Sequence, residues 1–168
     1  MVGPVIKKGC LFVRNLLVVG PIDAAAQTLL AQLAQQAAMR VTVYTPSRVT
    51  VPAGMVGLTQ ETLDEGGLTA AMVGQDAAVA LVPTIQLVAT TRQLATAARA
   101  VGLPRLIVSR TDDMDELAGD QRLARRQLQD AGVAYDFVDG IASVPVMLGI
   151  APTPLVVAPF IAPAKKSV

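Results

Sequence analysis

Few side chains in this sequence could perform chemistry, and one type is missing altogether. The chain has no histidine. That removes the usual general base near neutral pH, a serine–histidine–aspartate arrangement and histidine-ligated metal. A lone cysteine, Cys10, excludes an intrachain disulfide and zinc ligation by several thiolates. Activating it as a nucleophile would take a cationic setting. Lys7 and Lys8 are near in sequence, but an inert buried thiol is the simpler expectation. The densest set of ligand oxygens is Asp112, Asp113, Asp115 and Glu116. A hard cation such as Mg²⁺ takes oxygen ligands of this kind. Acids at the start of a helix are also what its dipole favours, and that is the expected role, so no metal site is expected.

These residues sit in a chain of 168 residues, 52% apolar and 16% charged, which fits one folded domain. A formal net charge of +1, with no Lys/Arg run interleaved with aromatics, gives no footprint for nucleic acid. The apolar stretch after Lys8 is broken by Arg14 and Asn15 and has no small-residue cleavage site after it. It reads as the lead-in to a strand of a cytoplasmic protein. The charge-free stretch from Ile141 to Ala164 leaves peripheral association with a membrane complex open.

The elements that must position any site alternate in type. Leu16 to Gly20 is a continuous apolar run, the pattern of a strand buried on both faces of a parallel sheet. An Ala/Leu/Gln-rich helix follows from Asp23, a good N-cap, to Met39. Further strands are expected at Val41–Tyr44, within Val49–Met55, and at Ala77–Val82, Leu106–Ser109 and Tyr135–Val138. Helices are expected at Thr62–Val73, Ile85–Val101 (closed by Gly102 and Pro104) and Asp115–Ala131. Crossovers of this length give parallel strands and right-handed winding. The predicted fold is α/β: a doubly wound, Rossmann-like parallel sheet of about six strands over residues 1–140. Residues 141–168 form a proline-punctuated apolar tail, either part of the same domain or a docking arm. Its prolines predict extended segments and turns, with no regular helix and an added strand at Leu155–Ala158.

Three stretches carry a family resemblance. Leu68 to Val79, with Gly74-Gln75-Asp76 leading into a strand, is similar to a segment of the atypical short-chain dehydrogenase/reductase group, the NAD(P)H-binding, NmrA-like proteins. So are Thr91 to Val108, with Gly102 and Pro104-Arg105, and Leu128 to Val138. The resemblance runs from about Leu16 to Gly140, and the chain looks like a degenerate, C-terminally truncated member. It implies a Rossmann fold and a dinucleotide on the first strand-to-helix turn. The family's turn is similar to G-x-x-G-x-x-G, whereas this chain reads Gly20-Pro21-Ile22-Asp23-Ala24-Ala25-Ala26. Pro21 removes an N–H, and Asp23 places a carboxylate where phosphate would sit. At an effective dielectric of ~20, like charges ~4 Å apart cost about 4 kcal/mol before screening.

Other departures point the same way. Arg48 resembles the family's acceptor for a 2′-phosphate, though a solvated turn arginine is the simpler reading. Gly57-Leu58 stands where an adenine-side Gly-Asp would follow the third strand. No Tyr-x-x-x-Lys pair exists, Ser109 has no partner in sequence, and Asp139-Gly140 replaces an Arg-Pro. The expectation is therefore a non-catalytic accessory or assembly subunit with no cofactor. It would bind another protein, or itself as a homo-oligomer, through the tail. The alternative is an NAD(P)H-binding small reductase or redox sensor using Gly20, Ile22, Asp23, Arg48, Val82 and Pro83.

Overall fold

Three runs of consecutive apolar residues make the centre of the molecule. In the computed structural model, which describes residues 13–46, 48–59, 65–110, 118–138 and 140–150, they form β1 (Asn15–Val19), β4 (Ala77–Val82) and β5 (Leu106–Arg110). With β2 (Arg40–Thr45), β3 (Val56–Thr59) and β6 (Tyr135–Val138) they build one sheet ordered β3-β2-β1-β4-β5-β6. Every pairing is parallel, with Val18 opposite both Val43 and Val79. This is the doubly wound order expected from the sequence.

Because side chains alternate along a strand, the sheet has two apolar faces. Leu17, Val19, Ala78, Ala80 and Val108 pack under α2 (Glu65–Met72), α3 (Leu87–Val101) and α4 (Ala118–Ala131). Leu16, Val18, Val79, Leu81 and Ile107 meet α1 (Ala24–Ala34) and the segment 141–150. Gly102 ends α3 in the left-handed region, φ +68°, where its N–H donates to the carbonyls of Ala98 and Arg99.

The Gly74-Gln75-Asp76 stretch has a structural task. One carboxylate oxygen of Asp76 accepts the N–H groups of Arg14 and Asn15, each at 2.9 Å, and its own N–H donates to the Asn15 carbonyl. The entry to β4 thus fixes the entry to β1.

Several expectations are corrected. Helix α1 ends at Ala34 rather than Met39, because Gln35, Gln36 and Met39 tighten into bonds reaching three residues back. The third strand is Val56–Thr59, not the window 49–55. That window holds Pro52, which donates nothing to a ladder, and a turn in which the Met55 N–H bonds the Pro52 carbonyl. Gly57-Leu58 therefore lies inside β3, not beyond it.

The tail was expected to hold no regular helix, yet a 3₁₀ turn at Ile141–Ser143 leads into α5 (Val144–Met147). Pro145 falls in its first turn, where a missing N–H costs nothing. Val144 and Leu148 are buried in the α1-side core. The expected strand at 155–158 and the acids at 112–116 lie outside the described residues. Among the described residues, no helix is long and apolar enough to cross a membrane.

Candidate functional site

In this sheet, β1 connects through α1 on one face and β4 through α3 on the other. The carboxyl ends of these neighbours therefore part, and ligands of doubly wound sheets bind at such a switch point. A crevice of about 280 Å³ opens there. Val19, Gly20 and Pro21 form one wall, Leu81, Val82 and Pro83 the other, with Pro46, Gln86 and Thr90 at the margins. A larger hollow, about 580 Å³, lies between α3 and α4 on the outer helical surface, away from the strand ends.

Gly20 makes the crevice possible. Its φ is +128°, its N–H donates to the Tyr44 carbonyl at 2.9 Å, and a Cβ on it would collide with the Leu81 carbonyl oxygen. Only glycine lets β1 turn this sharply against β4.

Three residues on, Asp23 caps α1. Its Oδ1 accepts the Ala26 N–H at 2.9 Å and its carbonyl accepts that of Gln27. The N–H groups of Ala24 and Ala25 belong to the first turn, which has no acceptor within the helix. The Asp23 side chain is exposed. Ile22, expected in the site, is half-buried and packs on the α1-side core. It anchors the start of α1 and does not line the crevice.

Of the other residues singled out from sequence, Val82 and Pro83 do line the crevice. Arg48 is exposed and lies beyond Pro46, outside the lining. Sequence reasoning missed Pro46, Gln86 and Thr90. Gln86 and Thr90 stand four apart at the start of the helical segment after β4, so stepping one and then two helical turns on from Pro83 would have reached them.

Thr45 was also missed. It ends β2 on the α1 side, in line with Val41 and Val43, is 2% exposed, and its Oγ1 has no hydrogen-bond partner among the described residues. That hydroxyl faces the α1 side of the sheet and is not part of the crevice lining.

No ionisable side chain lines the crevice among the described residues. Ser109 is buried and bonds the Arg110 carbonyl at 3.3 Å. Tyr44 is buried within β2, and the Tyr135 hydroxyl accepts from Gln129 on α4. Neither tyrosine is placed for proton transfer in the crevice. Among the described residues no group of histidine, cysteine and acids could hold a metal ion. Cys10, Ser47 and Asp139 lie outside them.

No family model and no curated protein sequence matches the chain. Solved structures do. A Rossmann-fold NAD(P)-binding family protein from Shigella flexneri shares 22% identity at a TM-score of 0.64, over 74% of this chain and 65% of that one. A short-chain dehydrogenase/reductase from Veillonella parvula in complex with NADP shares 16% identity at 0.61, over 75% and 68%. The NADPH-dependent quinone oxidoreductase of Escherichia coli, complexed with NADPH, shares 18% identity at 0.59, over 78% and 53%. The fold is thus the Rossmann fold of NAD(P)-binding, short-chain dehydrogenase/reductase-like proteins. The chain spans about two thirds or less of the length of these structures.

The expectation of no cofactor is corrected by these likenesses, which point to a nucleotide. The physical reason is the dielectric used for Asp23. The figure of about 4 kcal/mol holds at an effective dielectric of ~20; the Asp23 side chain is exposed, and in a water-like dielectric the same separation costs about 1 kcal/mol.

Proposed function

We propose that the chain is an NAD(P)H-binding domain, acting as a small reductase or redox sensor, with the nucleotide lying across the crevice between β1 and β4. The observation that carries this reading is the crevice itself, opened by a glycine no other residue could replace. The residues present fit such a ligand. Gly20 lets the backbone come close, and the first-turn N–H groups of α1 would hold the anionic bridge. Thr45 Oγ1 and the exposed Arg48 stand at the end of β2, where the sugar and a 2′-phosphate would be recognised. Val82, Pro83, Gln86 and Thr90 make the other half, an apolar wall with two polar margins.

When bound, the nicotinamide supplies or accepts hydride. The chain's own contribution is to bind, orient and shield it, since no tyrosine–lysine pair exists to move a proton. That absence favours the sensor over the reductase. It also keeps the accessory-subunit reading, with a protein partner docked on residues 151–168, as a second proposal; a native pull-down without a stable partner would sink it.

The nucleotide reading is tested by thermal unfolding with millimolar NADPH and NADH. A ligand at a hundred times its dissociation constant stabilises the state it binds by about 2.7 kcal/mol. NADPH is expected to raise the midpoint by several degrees, and more than NADH does. In Arg48→Ala the two cofactors should act alike. No rise with either would refute the proposal.

A further inference from the structure

We propose that the crevice selects one uncharged, flat ring, a 6-aminopurine base, and that this ring and not a diphosphate sets its affinity. A nucleoside is then as good a ligand as a dinucleotide. The inference rests on the nucleotide-binding reading above for the place of the ligand, and names the part of it that the chain recognises.

The lining decides the chemistry of what enters. Pro21, Pro46 and Pro83 all line the crevice, each within two residues of the end of a strand, β1, β2 and β4 in turn. None of the three has an N–H to give. The Gly20 N–H is already bonded to the Tyr44 carbonyl, and the Gln86 N–H to that of Pro83. No ionisable side chain lines the crevice among the described residues, so an anion finds neither a cation nor a ready set of donors. A flat ring finds apolar walls. Val19, Leu81 and Val82 take it out of water, and proline C–H groups suit the electron-rich face of an aromatic ring. The volume agrees: about 280 Å³ falls just short of the roughly 300–1,000 Å³ that encloses a drug-sized ligand. One ring system fits inside, and the bridge and second half of a dinucleotide stay outside.

The margin supplies the selectivity. Gln86 is the N-cap of α3, yet its side chain makes no cap hydrogen bond, and it stands exposed at the edge of the crevice. A carboxamide offers a donor and an acceptor side by side, which pair with the N7 acceptor and the amino N–H of adenine. Inosine presents two acceptors on that edge, as guanine does, and the pair fails.

Calorimetric titrations use the full chain, native and Gln86→Ala, with adenosine, inosine, nicotinamide, NADH and NADPH at low and high salt. Adenosine and NADH are expected to bind the native chain with similar affinity. That of NADH should change little with salt, which weakens contacts between exposed charges. Inosine should bind the native chain about tenfold more weakly than adenosine. In Gln86→Ala the two nucleosides should bind alike.

NADH binding far more tightly than adenosine, with a steep loss at high salt, would overturn the proposal and leave the nucleotide reading intact. Equal binding of adenosine and inosine by the native chain would also overturn it, as would nicotinamide binding in place of adenosine. Adenosine bound while NADH and NADPH are not would support the ring and refute the nucleotide reading. Failure of all the ligands to bind would overturn both.

Discussion

Gly20 and Asp23 stand three positions apart in one turn and do different work there: the first opens the crevice and the second caps α1. Gly20 opens it, through a positive φ and a close approach to the Leu81 carbonyl. Asp23 ties down the Ala26 N–H at the start of α1. The glycine's role is testable without any ligand. In Gly20→Ala the new methyl group must displace β1 from β4, and the backbone must hold alanine in a region that strains it. The two costs together are expected to lower stability by roughly 2–4 kcal/mol. Denaturant unfolding should show a lower midpoint at an unchanged slope. A midpoint within error of the native protein would mean that the turn relaxes and that the crevice does not need glycine at position 20. Asp23→Asn, by contrast, should leave the midpoint where it is, because the cap survives.

Elements tell how much of this was legible in the sequence. The buried strands were, since Leu16–Val19, Ala77–Val82 and Leu106–Val108 are apolar without alternation, and only a sheet covered on both faces explains that. So was α3, bounded by its glycine. Strand β3 was not: Val56 and Leu58 are 55% and 40% exposed, so burial never shaped its sequence into a signal, and Val49–Val51 offered a better-looking decoy. In the site, Gly20, Val82 and Pro83 were legible because they end buried strands. Gln86, Thr90 and Thr45 were not, because polar residues at element ends are ordinary in sequence and acquire meaning only beside a cavity.

Segment 141–150 was half legible. Pro145 and the prolines beyond residue 150 masked α5, and its anchor is a long-range contact that no local pattern encodes. Arg105 Nε and Nη2 donate to Asp136 at 3.0 and 2.7 Å, while Nη1 donates to the Met147 carbonyl at 2.8 Å. Arg105→Ala is expected to cost about 1–2 kcal/mol, because it breaks charge-assisted bonds at a half-buried site. Arg105→Lys should recover little, having no planar fork. Faster amide exchange confined to 141–150 would identify the cause as release of α5.

At the scale of the whole molecule, the two faces of the sheet are covered unequally. One carries three helices, α2, α3 and α4, whose Leu68, Leu87, Leu94 and Leu128 are each at most 1% exposed. Among the described residues the other carries α1, a 3₁₀ turn and the short α5, where Leu148 is 5% exposed and Val146 67%. Local opening follows the amount of apolar surface that must be uncovered, so the α5 side should open first. Native-state amide exchange is expected to show α5 exchanging with little protection, while β1, β4, β5 and α3 exchange only through global unfolding. Truncating one leucine on each side separates the faces. Leu128→Ala is expected to lower global stability by about 2–4 kcal/mol, slowing no amide and speeding the slowest ones. Leu148→Ala removes a side chain held by a unit that already opens alone; its main effect should be on the amides of 141–150, with less change in the slowest set. The crevice lies between strands of the protected set, at the end where β1 and β4 part, so nucleotide binding should survive Leu148→Ala at temperatures where Leu128→Ala has unfolded. Equal loss of protection across all amides in both variants would show instead that the two faces open as one, and that segment 141–150 is as much a part of the core as α3.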